Sequence, residues 1–335
     1  MTDLAAGPAA NAAPLEVAAA RLAALLTGEA TAISDPGNGT DLVFESVIGL
    51  RPLVRTDAPA DVWAVDGGQA LVADGRCLQV VVTRAGRVRF QDRVATFEEE
   101  GQLRPALLGL GEQADARAGL ALDGLAADCA VDLNLLRDRW EWDAVERSIA
   151  EADPGALVLV DGDLQPDWRI PSHYLARLFA AASSRGVMLA SVTKHSSLAR
   201  GGAPLLGALE REAAELFGER AMWWAPVART RSDVEPGIQV AMARLDPDAR
   251  FSFRIDLPGD ADPEIVLGSL SALCDDAAFP GYPYPLTVAD RLAACPGWVR
   301  QEVRMQLDDL LDATGVPFDV RERAFADRHR LMERS

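Results

Sequence analysis

Positive charge is in short supply in this sequence: 33 lysines and arginines stand against 51 aspartates and glutamates, a formal net charge of −18 over 335 residues. The average surface therefore repels phosphate and anionic lipid, which excludes a protein that coats nucleic acid by charge alone. A nuclease is not excluded, because carboxylates that hold divalent cations invert the local field. Cysteine is also scarce. Cys77, Cys129, Cys274 and Cys295 form no CxxC pair and have no neighbouring histidine, so no zinc site is expected. They read as buried, reduced thiols of a cytoplasmic protein. No stretch approaches the ~20 continuous apolar residues of a membrane span, and residues 1–11 lack the basic start and apolar core of a signal peptide, so neither insertion nor export is expected. A Gly-x-x-x-x-Gly-Lys-Ser/Thr loop is missing too, and any ATP-driven movement must come from another protein.

What is present is the balance of a folded globular chain: 49% apolar residues, 25% charged residues and a mean hydropathy of +0.03. The first dozen residues read as frayed, and Leu15 to Leu26 has helical apolar spacing. Valine-rich runs at Val62 to Val65, Cys77 to Thr83 and Val88 to Ala95 suggest a three-stranded antiparallel meander, with Arg84-Ala85-Gly86-Arg87 as one of its turns. A long helical region, Gln113 to Ala152, comes next. Strands at Ala156 to Val160 and Val187 to Val192 then alternate with helices at Ser172 to Ser184, capped by Ser172, and Pro204 to Phe217. A second β-rich stretch covers Ala221 to Ala228, Ile238 to Leu245 and Phe251 to Asp256. Helices at Pro263 to Asp276, Leu286 to Ala294, Trp298 to Thr314 and Arg321 to Glu333 end the chain. The pattern implies an α/β protein with one mixed sheet and an accessory helical part. The expected division is an N-terminal helical extension at 1–40, a main domain at 41–295 and C-terminal helices at 296–335 packed on the same unit.

Two aspartates stand out. Asp66 closes the strand Val62 to Val65 and is followed by Gly67-Gly68, where the backbone can turn sharply. Asp161 repeats the design after Leu157 to Val160, followed by Gly162. Two strands of one sheet that finish in Asp-Gly bring their carboxylates to one edge, and paired carboxylates are the minimal holder for Mg²⁺ or Mn²⁺. Each Asp-Gly taken alone would simply begin a turn. A third carboxylate is expected from the preceding helix. Glu141 and Glu146 lie on different faces of it, and Glu141, between Trp140 and Trp142, is favoured. Lys194, in Thr193-Lys194-His195-Ser196 after another strand, could hold phosphate as a point charge, and His195 could be a base, a ligand or neither. The loop Phe279-Pro280-Gly281-Tyr282-Pro283-Tyr284-Pro285-Leu286 could stack a base or pack a connection, and it leads into a helix carrying Asp290.

The segments Val62-Trp63-Ala64-Val65-Asp66-Gly67-Gly68, Leu157-Val158-Leu159-Val160-Asp161-Gly162-Asp163-Leu164, Ser191-Val192-Thr193-Lys194 and Gly281-Tyr282-Pro283-Tyr284-Pro285-Leu286-Thr287-Val288-Ala289-Asp290 together resemble the NurA-domain nucleases, over roughly Asp61 to Ala294. The resemblance implies an RNase H-like core and Mn²⁺- or Mg²⁺-dependent cleavage of DNA, with two ions held by carboxylates. It also implies a 5′-to-3′ exonuclease with some single-strand endonuclease activity. Such an enzyme works on single- and double-stranded DNA ends in double-strand break processing, as a homodimer with a hexameric HerA-type translocating ATPase. By the same resemblance Asp66 and Asp161 match metal-binding aspartates, Glu141 the family's glutamate, Lys194 the strand-end lysine and Asp290 a late acidic residue. Gly68 and Asp163 stand where the family has serine, and Asp163 is expected to add charge beside the metals.

Two other readings compete. Leu159-Val160-Asp161-Gly162-Asp163, Thr193-Lys194 and Gly259-Asp260-Ala261-Asp262 imitate an aspartyl-phosphate phosphatase of the HAD type, a reading that leaves Asp66 unused. The replaced serines also fit a NurA-like scaffold that binds the ATPase partner with a weakened site.

Overall fold

A computed structural model describes residues 9–28, 32–36, 42–122, 124–126, 128–164, 169–230 and 237–326. Helix α1 (Ala9–Thr27) and strands β1 (Ile33–Ser34), β2 (Leu42–Phe44) and β3 (Arg51–Pro52) lead into four antiparallel strands, β4 (Asp61–Asp74), β5 (Leu78–Gln91), β6 (Val94–Glu100) and β7 (Arg104–Gly109). Helices α2 (Gln113–Leu120) and α3 (Leu133–Glu151), strand β8 (Leu157–Asp161), helix α4 (Ser172–Ser184) and strand β9 (Met188–Thr193) follow. After the short β10 (Ala199–Arg200) and β11 (Ala203–Pro204) come α5 (Leu205–Phe217), β12 (Trp223–Thr230), β13 (Ile238–Arg244) and β14 (Phe253–Pro258). The chain then runs through α6 (Pro263–Ser271), α7 (Tyr284–Ala293), α8 (Gly297–Ala313) and α9 (Phe318–Phe325). Residues 1–8 of the start expected to be frayed and the expected helical residues 327–333 lie outside the described residues, whereas residues 9–12 of that start already belong to α1, which begins before the expected Leu15.

One 11-stranded sheet organises the molecule, in the order β2-β12-β13-β14-β9-β8-β4-β5-β6, with β3 beside β12 and β7 beside β5. Strands β4, β8 and β9 are parallel neighbours, and the rest of the sheet is antiparallel. Both faces are covered, which is why the central strands read as continuous apolar runs. Successive side chains point to opposite faces. Trp63 and Val65 of β4 join Val158 and Val160 of β8 in a core under α3. Val62, Ala64, Leu157 and Leu159 belong to a second core with Leu286 and Ala289 of α7.

Four expectations need correction. The segment Arg84 to Arg87 is not a turn but the middle of β5, in a hairpin whose two strands are 14 residues each. Its charges are buried because each has a partner. Arg84 donates from Nε to the carbonyl of Ala293 at 3.2 Å and from its other nitrogens to Ala294 and Glu100, so one guanidinium closes the open carbonyls at the end of α7. Arg87 pairs with Glu99 and, at 3.0 Å, with Glu151. The long helical region is two helices, since Ala121 adopts a left-handed conformation (φ 48°) and ends α2. Helix α4 is capped by Pro171 without a side-chain hydrogen bond, not by Ser172. Of the four thiols, Cys129 and Cys274 are buried, whereas Cys77 is exposed and Cys295 half-buried.

Candidate active site

Strict alternation along the central strands assembles the site. Asp66 follows Val62 and Ala64 onto the α7 face of β4, and Asp161 follows Leu157 and Leu159 onto the same face of β8. The parallel register pairs Val65 with Val160, so the two aspartates are neighbours across adjacent strands. In the same register Asp161 is opposite Val192, and Lys194, two residues further on, rises on the same side. Helix α7 lies over this edge and supplies Asp290. One carboxylate oxygen from each of Asp66, Asp161 and Asp290 lies within 4.8 Å of the others.

Only one of the two Asp-Gly pairs is a strand end. Gly162 has φ 119°, a conformation open to glycine, and turns the chain after Asp161. Strand β4 instead runs on from Asp66 to Asp74, and its glycines serve close approach. A Cβ on Gly67 would lie 2.6 Å from Glu141 Oε2, and one on Gly68 would lie 1.7 Å from the carbonyl oxygen of Ala293. Glu141 thus stands on α3 behind β4, on the opposite face to Asp66, with Oε2 in the space that Gly67 leaves open, and it is not among the three carboxylates that converge. Glu146 is elsewhere, accepting a hydrogen bond from Tyr174 at 3.3 Å.

The carboxylates repel one another in a partly dry environment. Burial, reinforced by the charges of Asp161 and Asp290, pushes the Asp66 carboxyl from 3.8 up to about 8, against the opposing pull of Lys194 and the Gly67 amide. Burial also holds the Glu141 carboxyl well above the ordinary glutamate range, with Asp66 adding to the effect. Lys194 Nζ donates to Asp161 Oδ2 at 2.7 Å and to Asp290 Oδ1 at 3.4 Å. Burial alone would lower this ammonium, but the bond to Asp161 and the surrounding carboxylates raise it.

Tyr282 belongs to the site and was hidden in the aromatic loop. Its hydroxyl donates to Asp161 Oδ2 at 2.8 Å, and its ring lies 5.2 Å from Lys194 Nζ. Nothing in the local sequence separates it from Tyr284, whose ring packs edge-on against Phe90 at 5.0 Å. His195 is exposed and outside the acidic group. Asp163 is also outside it, and its charge acts instead on the buried Arg254 of β14. Asp260, required by the phosphatase reading, is exposed in the turn after β14.

Three hard oxygen donors on two strands and a helix fit a divalent cation, which prefers carboxylate oxygens and leaves positions for water and phosphate. The excess of acid over the single ammonium of Lys194 is the charge such a cation would balance. Antiparallel β4 to β6 beside parallel β8 and β9, with acids converging at the carboxyl end of β8, define an RNase H-like fold with an acidic centre. The chain is similar to the NurA nuclease from Sulfolobus solfataricus, with a TM-score of 0.56 and 15% identity over 79% of this chain and 88% of that one. Another NurA crystal structure matches with a TM-score of 0.43 and 8% identity over 72% of this chain and 85% of that one. The catalytic domain of human endonuclease V gives 0.39 at 14% identity over 93% and 100%. No protein-family model and no curated protein matches the sequence. The fold of the chain is NurA-like.

Proposed function

We propose that this protein is a divalent-cation-dependent DNA nuclease. The convergence of Asp66, Asp161 and Asp290 within 4.8 Å at the edge of an RNase H-like sheet carries the reading. A divalent cation bound by these carboxylates supplies a polarised water and neutralises charge on the scissile phosphate. The chain's own groups prepare the rest. Tyr282 and Lys194 both donate to the same oxygen of Asp161, which fixes the direction of that carboxylate. The Lys194 ammonium is partly exposed and stands where a phosphate oxygen can replace a carboxylate as its partner. Glu141 stands behind Asp66 across β4, its carboxyl pushed well above the ordinary range by burial and by the charge of Asp66. Water adds across the P–O bond, and the leaving oxygen takes up a proton.

The NurA-like fold supports a finer reading: 5′-to-3′ trimming of DNA ends in break processing, by a homodimer using two Mn²⁺ or Mg²⁺ ions beside a hexameric HerA-type ATPase. The test is cleavage of end-labelled single- and double-stranded DNA with Mn²⁺, Mg²⁺ or chelator. Cleavage is expected only with metal and not in Asp161→Ala; undiminished cleavage by that variant overturns the assignment. Tyr282→Phe removes one orienting bond from Asp161 while keeping the ring. It should lower the cleavage rate ~10- to 100-fold, the usual cost of losing an outer partner of a metal ligand, with an unchanged melting temperature. A rate equal to that of the unaltered protein would show that the hydroxyl has no orienting role.

A further inference from the structure

A groove of about 640 Å³ opens directly from the acidic centre. Lys194, Tyr282 and Asp290 form its inner end, and Phe251, Phe253 and Phe279 line it further out. Single exposed apolar residues are ordinary, but here Phe251 is 60% and Phe279 61% exposed beside one cleft. Both rings stand on braced backbone. The Phe279 amide donates to Asp276 at 3.1 Å, and Gly281, at φ 90°, lies so close to the neighbouring loop that a Cβ would meet that of Ala249 at 2.4 Å. Arg244 in turn donates to the Ala249 carbonyl at 2.9 Å, and the Ser252 amide donates to Glu210 at 2.8 Å. Phe253 packs on Tyr282 with ring centroids 5.5 Å apart, which joins the aromatic wall to the residue that orients Asp161. At the rim, the Arg250 guanidinium lies 5.3 Å from the Phe251 ring, a cation in an otherwise acidic protein.

Resting on the nuclease reading, we infer that this groove is a nucleobase slot that receives an unpaired base of the strand whose phosphate lies at the acidic centre. The occupant follows from the lining. Flat aromatic faces on fixed loops suit a base of any sequence, because every base has a π-face. Arg250 suits the next phosphate along the strand, and the groove is continuous with the site where the scissile phosphate belongs. A base still paired and stacked in a duplex cannot reach those rings, so the slot selects frayed or single-stranded ends.

The test uses a short single-stranded oligonucleotide carrying one 2-aminopurine, with Ca²⁺ in place of Mn²⁺ for binding. Stacking should quench the fluorescent base on binding to the full chain. Phe251→Ala and Phe279→Ala should each weaken binding ~10-fold and relieve the quench, whereas Phe279→Trp should retain both. An oligonucleotide abasic at that position should bind as weakly to the unaltered protein as to Phe279→Ala. Because both rings are exposed, the variants should keep the circular dichroism and melting temperature of the unaltered protein. Unchanged quenching and affinity in both alanine variants would overturn the slot. Cleavage of the same oligonucleotide with Mn²⁺, in the unaltered protein and in Asp161→Ala, reports separately on the nuclease reading. Quenching without any cleavage would overturn that reading and leave the slot standing.

Discussion

Asp66→Asn is expected to abolish metal-dependent cleavage, by ~10³-fold or more, and at the same time to make the metal-free protein more stable at alkaline pH. The two effects have one origin. In the folded chain the Asp66 carboxyl is pushed up to about 8 from an ordinary 3.8, so across that interval the native state holds a proton that the unfolded state has lost. Where the native state binds more protons, stability falls as pH rises. The loss therefore begins near pH 4 and is complete above pH 8, where the ionised carboxylates face one another in partly dry surroundings. Asparagine cannot ionise, and its side-chain oxygen can still accept from the Gly67 amide, a bond of 2.7 Å in the unaltered protein. Thermal melts at pH 5.5 and 8.5, with and without Mn²⁺, make the check. The unaltered protein should lose stability between the two pH values without metal and regain it with metal. Asp66→Asn should lose less stability between the two pH values, the part contributed by the buried Glu141 remaining, and should not regain it with metal; its advantage at pH 8.5 should be on the order of several kcal/mol. A variant that is less stable than the parent at pH 8.5, or that still gains from Mn²⁺, would show that Asp66 is not part of the cation site.

Much of this site was legible because sheet alternation is a simple rule. Asp66 and Asp161 follow strands of the same apolar texture, and period-two geometry puts both on the face that α7 covers. Lys194 follows the same rule on the next strand. The helices that carry Glu141 and Asp290 were legible as helices, but where they come to rest is set by packing across the sheet. Gly67-Gly68 misled for a physical reason. Glycine marks either a backbone that must turn or a surface that another element must touch, and local sequence does not distinguish the two. The same ambiguity made Arg84-Ala85-Gly86-Arg87 look like a solvated turn. Its arginines are buried only because Glu99, Glu100, Glu151 and the last carbonyls of α7 receive them, partners far away in sequence. Tyr282 was hidden by its company in the loop, where three prolines and a second tyrosine give no sign of which hydroxyl reaches Asp161. The acidic residues of the sequence are likewise used in two ways. Part converges at the candidate cation site, and part pairs buried arginines along β5 and β6.

Gly68→Ala should be among the most damaging small substitutions in the protein. A Cβ there would lie 1.7 Å from the carbonyl oxygen of Ala293 and 2.7 Å from its carbon, so backbone rather than a flexible side chain must yield. Gly86, across the hairpin, is the Cα partner of Asp66, and a Cβ on it would lie 2.6 Å from the Ala293 nitrogen. The C-terminal end of α7 is thus seated in a recess made by two glycines and held there by the Arg84 guanidinium. Adding a methyl group lifts that end of the helix, and with it Asp290 and the loop that presents Tyr282. Overpacking of this kind costs ~3 kcal/mol or more when backbone has to move, and a displacement of about 1 Å at a catalytic group costs ~10²-fold in rate. Gly68→Ala is therefore expected to lower both the urea midpoint and the cleavage rate, and Gly86→Ala to act in the same direction. Gly207 provides the control: it lies inside α5 with nothing within 4 Å of its would-be Cβ, so Gly207→Ala should gain up to ~1 kcal/mol from helix propensity and leave cleavage unchanged. If Gly68→Ala melts and cuts like the unaltered protein, α7 is not seated against the hairpin, and Asp290 must reach the site by another route.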